Sequence, residues 1–294
     1  MMEGAYVGDH AHCSVNPFVG RENVSLNKDG NGRKVVIIGA GVAGLTAAEL
    51  LARRGFDVTV LEKADAAGGQ INLADKPPHK GKLHWCVEDL VTNAVENGAK
   101  IKYSVTASED IIREYAPEYV IVATGGNAIK PKAFDKENVV TVTDVLDGSV
   151  KLSGKKICVI GSGMTGLETS ELLVSQGNHV SVVEMADKIA PGAWFQQLDD
   201  ALPKLKEANT EFYTSSKLVD IMPGSIKVLD LITNSNREIS CDMVVLSMGV
   251  RPDNSLYESL KSKFGNVYAI GDCVKTGRIV NATESAYKLV MSIK

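Results

Sequence analysis

One pattern is written twice in this chain, and few folds can satisfy it in both places. RKVVIIGAGVAGLTAAELLARRGFDVTVLEK, beginning at Arg33, returns as KKICVIGSGMTGLETSELLVSQGNHVSVVEM, beginning at Lys155. In the first copy the apolar run Val35 to Ile38 predicts a buried β-strand, the following apolar periodicity a helix ending near Gly55, and Val58 to Leu61 a second strand. In the second copy Ile157 to Ile160, a helix ending near Gly177, and Val180 to Val183 fill the same places. The copies share one interval of 122 residues (161 − 39 and 184 − 62).

The turns carry the chemistry. Gly39, Gly41 and Gly44 form GxGxxG in the first copy, and Gly161, Gly163 and Gly166 in the second. The first glycine permits a tight turn, the second lets the backbone approach a pyrophosphate, and the third lets helix and strand pack closely, leaving the helix N-terminus facing the phosphates. An acid ends each second strand, Glu62 and Glu184, each 23 positions beyond the first glycine (62 − 39 and 184 − 161). At that spacing a carboxylate reaches an adenosine ribose. A lone GxGxxG is most often only a turn. Strand, glycines, helix, strand and acid recurring twice predict two dinucleotide sites instead.

A chain of 294 residues with 44% hydrophobic content is long enough for two packed domains. Net charge of −4 gives no reason to expect a nucleic-acid partner. No basic start precedes an apolar segment and no apolar run is long enough for a bilayer, so the chain is expected to be cytoplasmic, with no membrane span. Its five cysteines, Cys13, Cys86, Cys158, Cys241 and Cys273, are widely spaced, odd in number and free of any CxxC, which fits reduced thiols.

Two further strands run into small-residue turns: YVIVATGG, Tyr119 to Gly126, and NVYAIGDC, Asn266 to Cys273. Both are expected to end at the same sheet edge. Together with the two glycine motifs they resemble the two-dinucleotide flavoprotein family. The resemblance implies an α/β fold of two Rossmann-like dinucleotide-binding domains, the FAD/NAD(P)-linked reductase fold, with the NAD domain inserted into the FAD domain. The expected division is an N-terminal linker segment 1–31 with Cys13, an FAD-binding domain at 32–144 and 249–294, and an NAD(H)-binding domain at 145–248. Arg251-Pro252 marks the expected return crossing.

By the same resemblance FAD falls to Gly39, Gly41, Gly44, Glu62 and the neighbouring Lys63, to Gly69 and Gln70 after the first unit, to the Ala123, Thr124, Gly125 turn, and to Gly271 and Asp272, the last holding the ribityl chain. The stretch NATESAYKLV is expected to be a helix capped near Asn281 or Thr283. Its N-terminus, with Ala282 and Thr283, would face the flavin pyrimidine ring, where a positive helix end favours a reduced flavin. The nicotinamide nucleotide falls to Gly161, Gly163 and Gly166, with Glu168 near the nicotinamide; a solvated carboxylate in the first helical turn is the competing reading of Glu168. Glu184 accepts a ribose 2′-hydroxyl and repels a 2′-phosphate, which favours NADH over NADPH, an effect that nearby Lys188 would blunt. No catalytic base is needed, since the cofactors carry the hydride chemistry. His79 and His84 in the Pro77-Pro78 loop region receive no catalytic role, and Cys158 and Cys273 are expected to be packing residues.

With these sites placed, CSVNPFVGRE, with GGQINLA, KPP and VIVATGG, is similar to the C-terminal FAD/NAD(P)-binding module of the 2,4-dienoyl-CoA reductase and trimethylamine dehydrogenase family, the old-yellow-enzyme-like NADH:flavin oxidoreductases. That resemblance makes Cys13 the fourth ligand of a [4Fe-4S] cluster whose other ligands lie at the end of an FMN-bearing barrel absent from this sequence. An inert cysteine is the competing reading, and a zinc site from His10, His12 and Cys13 lacks a fourth ligand. The peptide around Cys13 is expected to be mobile by itself. Three functions follow: a flavin-dependent module passing hydride from NADH to FAD and electrons to an iron-sulfur/FMN barrel partner that reduces an enoyl-type substrate; a non-catalytic module holding ADP; or a stand-alone NADH oxidase or diaphorase.

Overall fold

The computed structural model describes residues 13–294, and His10 and His12 lie outside them. The chain begins its first unit with β1 (Lys34–Ile38), α1 (Val42–Arg53) and β2 (Asp57–Leu61), continues through α2 (His84–Glu96) and β3 (Lys100–Lys102), and returns to the centre as β4 (Tyr119–Val122). β5 (Gly126–Ala128) leads out of this unit.

The second unit runs through β6 (Val139–Thr141), β7 (Lys156–Ile160), α3 (Met164–Ser175), β8 (His179–Val183), α4 (Phe195–Glu207) and β9 (Glu211–Tyr213). A meander follows, β10 (Ser216–Met222), β11 (Ser225–Asp230) and β12 (Ser235–Ser240), then β13 (Met243–Leu246). β14 (Val250–Pro252) pairs with β5 as the chain leaves, and β15 (Val267–Ala269) and α5 (Ile279–Ser292) complete the first unit.

Each unit is built on a five-stranded sheet whose paired strands are all parallel, in the order β15-β4-β1-β2-β3 in the first and β6-β13-β7-β8-β9 in the second. Strands covered on both faces need apolar residues at every position, which is why KVVII and KICVI are continuous rather than alternating. Val35 and Ile37 pack with Leu45, Leu50 and Leu51 of α1, while Val36 and Ile38 face Ile112, Leu260 and Cys273. In the second unit Ile157 and Val159 pack with Leu173, and Cys158 and Ile160 meet Ile226, Val228 and Ile239 of the antiparallel meander. Both strand-helix-strand repeats therefore form where the sequence places them, within a residue or two.

The chain crosses between units at 127/128 and again at 250/251. The first crossing precedes the expected 144/145 boundary because Val139 to Thr141 pair with Val244 to Leu246 of β13 and so belong to the second sheet. Residues Leu73–Gly81 also cluster with the second unit.

The segment after Cys13, expected to be mobile, is fastened to α5. The Ser14 carbonyl accepts the Thr283 hydroxyl at 3.1 Å, Phe18 meets Tyr287 edge to face at 5.4 Å, and Arg21 grips both oxygens of Glu284 at 2.7 and 2.8 Å while lying over the Tyr287 ring. At the other end of α5, Arg54 donates to the carbonyls of Val290 and Ile293 and pairs with Asp29.

Candidate functional site

Two cradles lie at the carboxyl ends of the central strands β1 and β7, where open parallel sheets bind ligands. In the first, Gly39 has φ +106, and a Cβ there would sit 2.4 Å from the Ala123 carbonyl oxygen. A Cβ on Gly44 would fall 1.9 Å from the Gly39 carbonyl oxygen. In the second, Gly161 would meet the Ser247 carbonyl at 2.2 Å and Gly166 the Gly161 carbonyl at 2.2 Å. The outer glycines of both motifs are thus demanded by the protein's own backbone.

The middle glycines are not. Among the described residues a Cβ on Gly41 or Gly163 would meet nothing within 4 Å, and neither backbone has positive φ. Nothing among the described residues asks for glycine at either place. Each is also the N-cap of a 12-residue helix that has no side-chain cap and no acid in its first turn, whereas the short helix Glu109–Glu114 has both, with Ser108 as cap. The first amides of α1 and α3 therefore face outward past open glycines, the arrangement that accepts an anionic phosphate.

The acids complete each cradle. Glu62 is 9% exposed; its Oε2 accepts the Ala40 N–H at 2.6 Å and its Oε1 the Ala64 N–H at 2.9 Å. Glu184 accepts the Ser162 N–H at 2.8 Å and the Ser162 hydroxyl at 2.7 Å on Oε2, and the Ala186 N–H at 2.8 Å on Oε1. Burial works against charge on Glu184, but the hydrogen bonds from Ala186, Ser162 and Met185 together outweigh it and hold the carboxyl below its usual range. Lys63 and Lys188 are exposed beyond the two acids.

Around the first cradle the parallel order β15-β4-β1 brings three strand ends together, as expected. Gly68 bridges Gly41, and Gly69 would reach the Gly41 Cα at 3.4 Å. Gln70 donates to the Gly126 carbonyl, Thr124 donates to the Asp253 carbonyl at 2.9 Å, and Gly125 turns with φ +78. A Cβ on Gly271 would press on the Ala43 Cβ at 2.8 Å, so the Gly-Asp turn sits against the first turn of α1. Asp272 is half-buried, and burial pushes its carboxyl up, offset in part by the Gly277 N–H at 3.1 Å. Beside it a cavity of about 490 Å³ opens, bordered by Gly271, Lys275, Thr276, Asn281 and Ser285.

α5 starts earlier than expected. It runs from Ile279, and Asn281 caps it from inside by accepting the Arg278 N–H at 2.8 Å. Thr283 is fully buried, its hydroxyl committed to the Ser14 and Val280 carbonyls, and Ala282 lies within the first turn rather than before it.

Glu168 lies in α3 and is held by Lys80 at 2.5 Å, with 15% of its side chain exposed; it is not a solvated carboxylate. Lys80 comes from the loop that clusters with the second unit, and sequence spacing gave no sign of the pairing. His79 is exposed, and His84 approaches Glu88 at 3.5 Å.

Four of the thiols, Cys86, Cys158, Cys241 and Cys273, are unsuited to disulfide exchange. Burial pushes Cys158 up to about 12 and Cys241 to about 11, and raises Cys273 and Cys86, the last with help from Asp89 and Cys13. Cys13 is half-exposed, and among the described residues no three His, Cys, Asp or Glu side chains are grouped to hold a metal. No helix among the described residues is long and apolar enough to cross a membrane.

A family model described as pyridine nucleotide-disulphide oxidoreductase matches residues 33–288. An NADH oxidase of Thermoanaerobacter brockii is 32% identical over 289 residues, 96% of this chain and 44% of its own. A bilirubin reductase of Mediterraneibacter gnavus is 34% identical over 285 residues, 94% of this chain and 43% of its own. Among solved structures, a 2-naphthoyl-CoA reductase bound to 2-naphthoyl-CoA superposes with a TM-score of 0.91 at 29% identity, covering 98% of this chain and 44% of that one. The chain spans less than half the length of these curated relatives.

Proposed function

The chain belongs to the pyridine nucleotide-disulphide oxidoreductase family as an FAD- and NAD(P)H-dependent oxidoreductase module, and from that premise we propose that it passes hydride from NADH to FAD and electrons onward to a barrel-type subunit or domain that reduces an unsaturated substrate. Bound in their cradles, the two cofactors supply the redox chemistry. The residues of the chain bind and orient them. Gly39, Gly41, Gly44 and Glu62 take the ADP half of FAD, and Asp272 takes a ribityl hydroxyl. Gly161, Gly163, Gly166 and Glu184 take the nicotinamide nucleotide, with Glu168 toward the nicotinamide. The FAD-binding domain is then the first unit and the NAD(H)-binding domain the second.

The observation that carries this reading is the pair Gly41 and Gly163, open glycines that nothing among the described residues requires, each beneath a helix with no side-chain cap. The barrel partner, with FMN and a [4Fe-4S] cluster, is supported by relatives more than twice as long that include reductases of bilirubin and 2-naphthoyl-CoA. Cys13 alone supplies one ligand of four, so the partner brings the rest. A cytoplasmic setting suits the reduced thiols.

The test is the visible spectrum of the purified chain before and after anaerobic NADH. A yellow protein with equimolar FAD that bleaches is expected. A colourless protein releasing only ADP on denaturation would overturn the redox reading in favour of a nucleotide-holding module. A flavin that bleaches and reoxidises with oxygen at catalytic rates, with no gain from any barrel partner, would favour the stand-alone oxidase.

A further inference from the structure

We infer that Ser162 is a positioning residue for nucleotide choice, holding Glu184 in the orientation that admits a ribose 2′-hydroxyl and rejects a 2′-phosphate. The inference rests on the reading of Glu184 as the ribose-facing acid of the second cradle.

The two cradles supply their own control. At the shared interval Ala40 corresponds to Ser162, Glu62 to Glu184, and Ala64 to Ala186. Both acids receive the same two main-chain bonds, from the residue after the first glycine to Oε2 and from the residue two beyond the acid to Oε1. Those bonds suffice to build the first cradle, where Ala40 has no hydroxyl. The second cradle adds one side chain.

Ser162 is fully buried, and the direction of its hydroxyl follows from its neighbours. The Ala190 N–H points at Oγ from 2.9 Å and can only donate, so the hydroxyl accepts there. Its single proton is left for Glu184 Oε2 at 2.7 Å. Oε2 thus takes two donors from Ser162, and with the Ala186 N–H on Oε1 and the further bond from Met185 these fix the plane of the carboxylate. The same serine ties down Ala190, a buried non-glycine residue at φ +46, and so secures the loop that follows the acid.

This role concerns specificity because Glu184 is less enclosed than Glu62. A partly buried carboxylate held by main-chain bonds alone can rock away from a 2′-phosphate; one held in addition by a buried side-chain hydroxyl is more firmly fixed, and its repulsion stays in place.

The experiment measures calorimetric dissociation constants of NAD⁺ and NADP⁺ for the full chain, so that binding is read apart from turnover. Ser162→Ala is expected to weaken NAD⁺ roughly three- to tenfold and to leave NADP⁺ within about twofold, contracting the ratio between them. Ser162→Thr, which keeps the hydroxyl, is expected to retain the parent ratio, and Ser162→Gly carries the same test as Ala should the alanine variant fold poorly. In a Glu184→Gln background Ser162→Ala should have no further effect on the ratio. An unchanged ratio in Ser162→Ala, or equal weakening of both nucleotides, would overturn the inference while a Glu184→Gln effect upheld the ribose reading. No change of ratio in Glu184→Gln would overturn the ribose reading and the inference resting on it.

Discussion

Gly41→Ala and Gly44→Ala, substitutions three positions apart in one turn, are expected to do harm for opposite reasons. At Gly44 the added Cβ would stand 1.9 Å from the Gly39 carbonyl oxygen, a backbone atom that cannot swing aside. Overpacking against fixed backbone costs at least about 3 kcal/mol here, at the upper end for such changes. At about 2–4 °C per kcal/mol the melting temperature falls by about 6 °C or more, with or without flavin. At Gly41 the Cβ meets nothing within 4 Å, and φ −79 with ψ −177 suits any residue. Alanine there narrows the unfolded ensemble and stabilises the flavin-free protein by about 0.4–1 kcal/mol. Its cost appears only with FAD, because the methyl occupies the approach to the α1 amides. Losing one hydrogen bond to a charged phosphate is about 1.5–3 kcal/mol, a tenfold to roughly 150-fold loss of affinity. Thermal melts of deflavinated protein, paired with FAD titration by fluorescence quenching, separate the two effects. Gly41→Ala protein that binds FAD within twofold of the parent would refute the assignment of that open face to a pyrophosphate.

Gly163→Ala should weaken NAD⁺ by a similar factor and leave FAD content untouched, measured by calorimetry and absorbance. Glu184→Arg should narrow or reverse the preference for NADH, read as stopped-flow flavin bleaching with each nucleotide; equal rates in the parent would place Glu184 away from the ribose. Burial raises Asp272 above the ordinary carboxyl range, so the group favours folding at pH below its unfolded value near 3.8 and that contribution is lost as pH rises through the higher folded value. At neutral pH Asp272→Asn should therefore raise the melting temperature of flavin-free protein while weakening FAD retention; a lower melting temperature would show the carboxylate to be stabilising. Glu184 runs the other way: its depressed value means that its contribution to stability is present above about pH 4.5 and disappears as pH falls through the lower folded value, and Glu184→Gln should flatten that part of an acid melt.

What the sequence disclosed was whatever is local and repeated. The glycine spacing, the apolar runs and the acids at fixed intervals each act within one strand-helix-strand unit, and each is where the pattern put it. Lys80 on Glu168 was invisible because its partner is 88 residues away and a basic loop has no periodicity. Ser162 was hidden for another reason: a serine in a glycine turn looks like any small residue until Ala190 fixes where its proton goes. The start of α5 is not legible in the sequence because Asn281 caps from the third helical position, behind an arginine that signals no cap. The early crossing at 127/128 escaped because β6 is three residues long, too short for alternation to register.

The fastening of α5 at both ends has a consequence for timing rather than affinity. Arg54 holds its last carbonyls, and Thr283, Glu284 and Tyr287 hold its first turns to the segment carrying Cys13. A helix secured in this way has its field set before any electron arrives. With the flavin of the proposed function at its N-terminus, little of the protein would have to reorient in response to charge there, so the reorganisation energy of the step would fall mainly to solvent and surface side chains. On the proposed function, cutting the Arg21 tie, as in Arg21→Ala, would return that response to the helix itself and slow flavin reduction by NADH in stopped flow even where the driving force is unchanged.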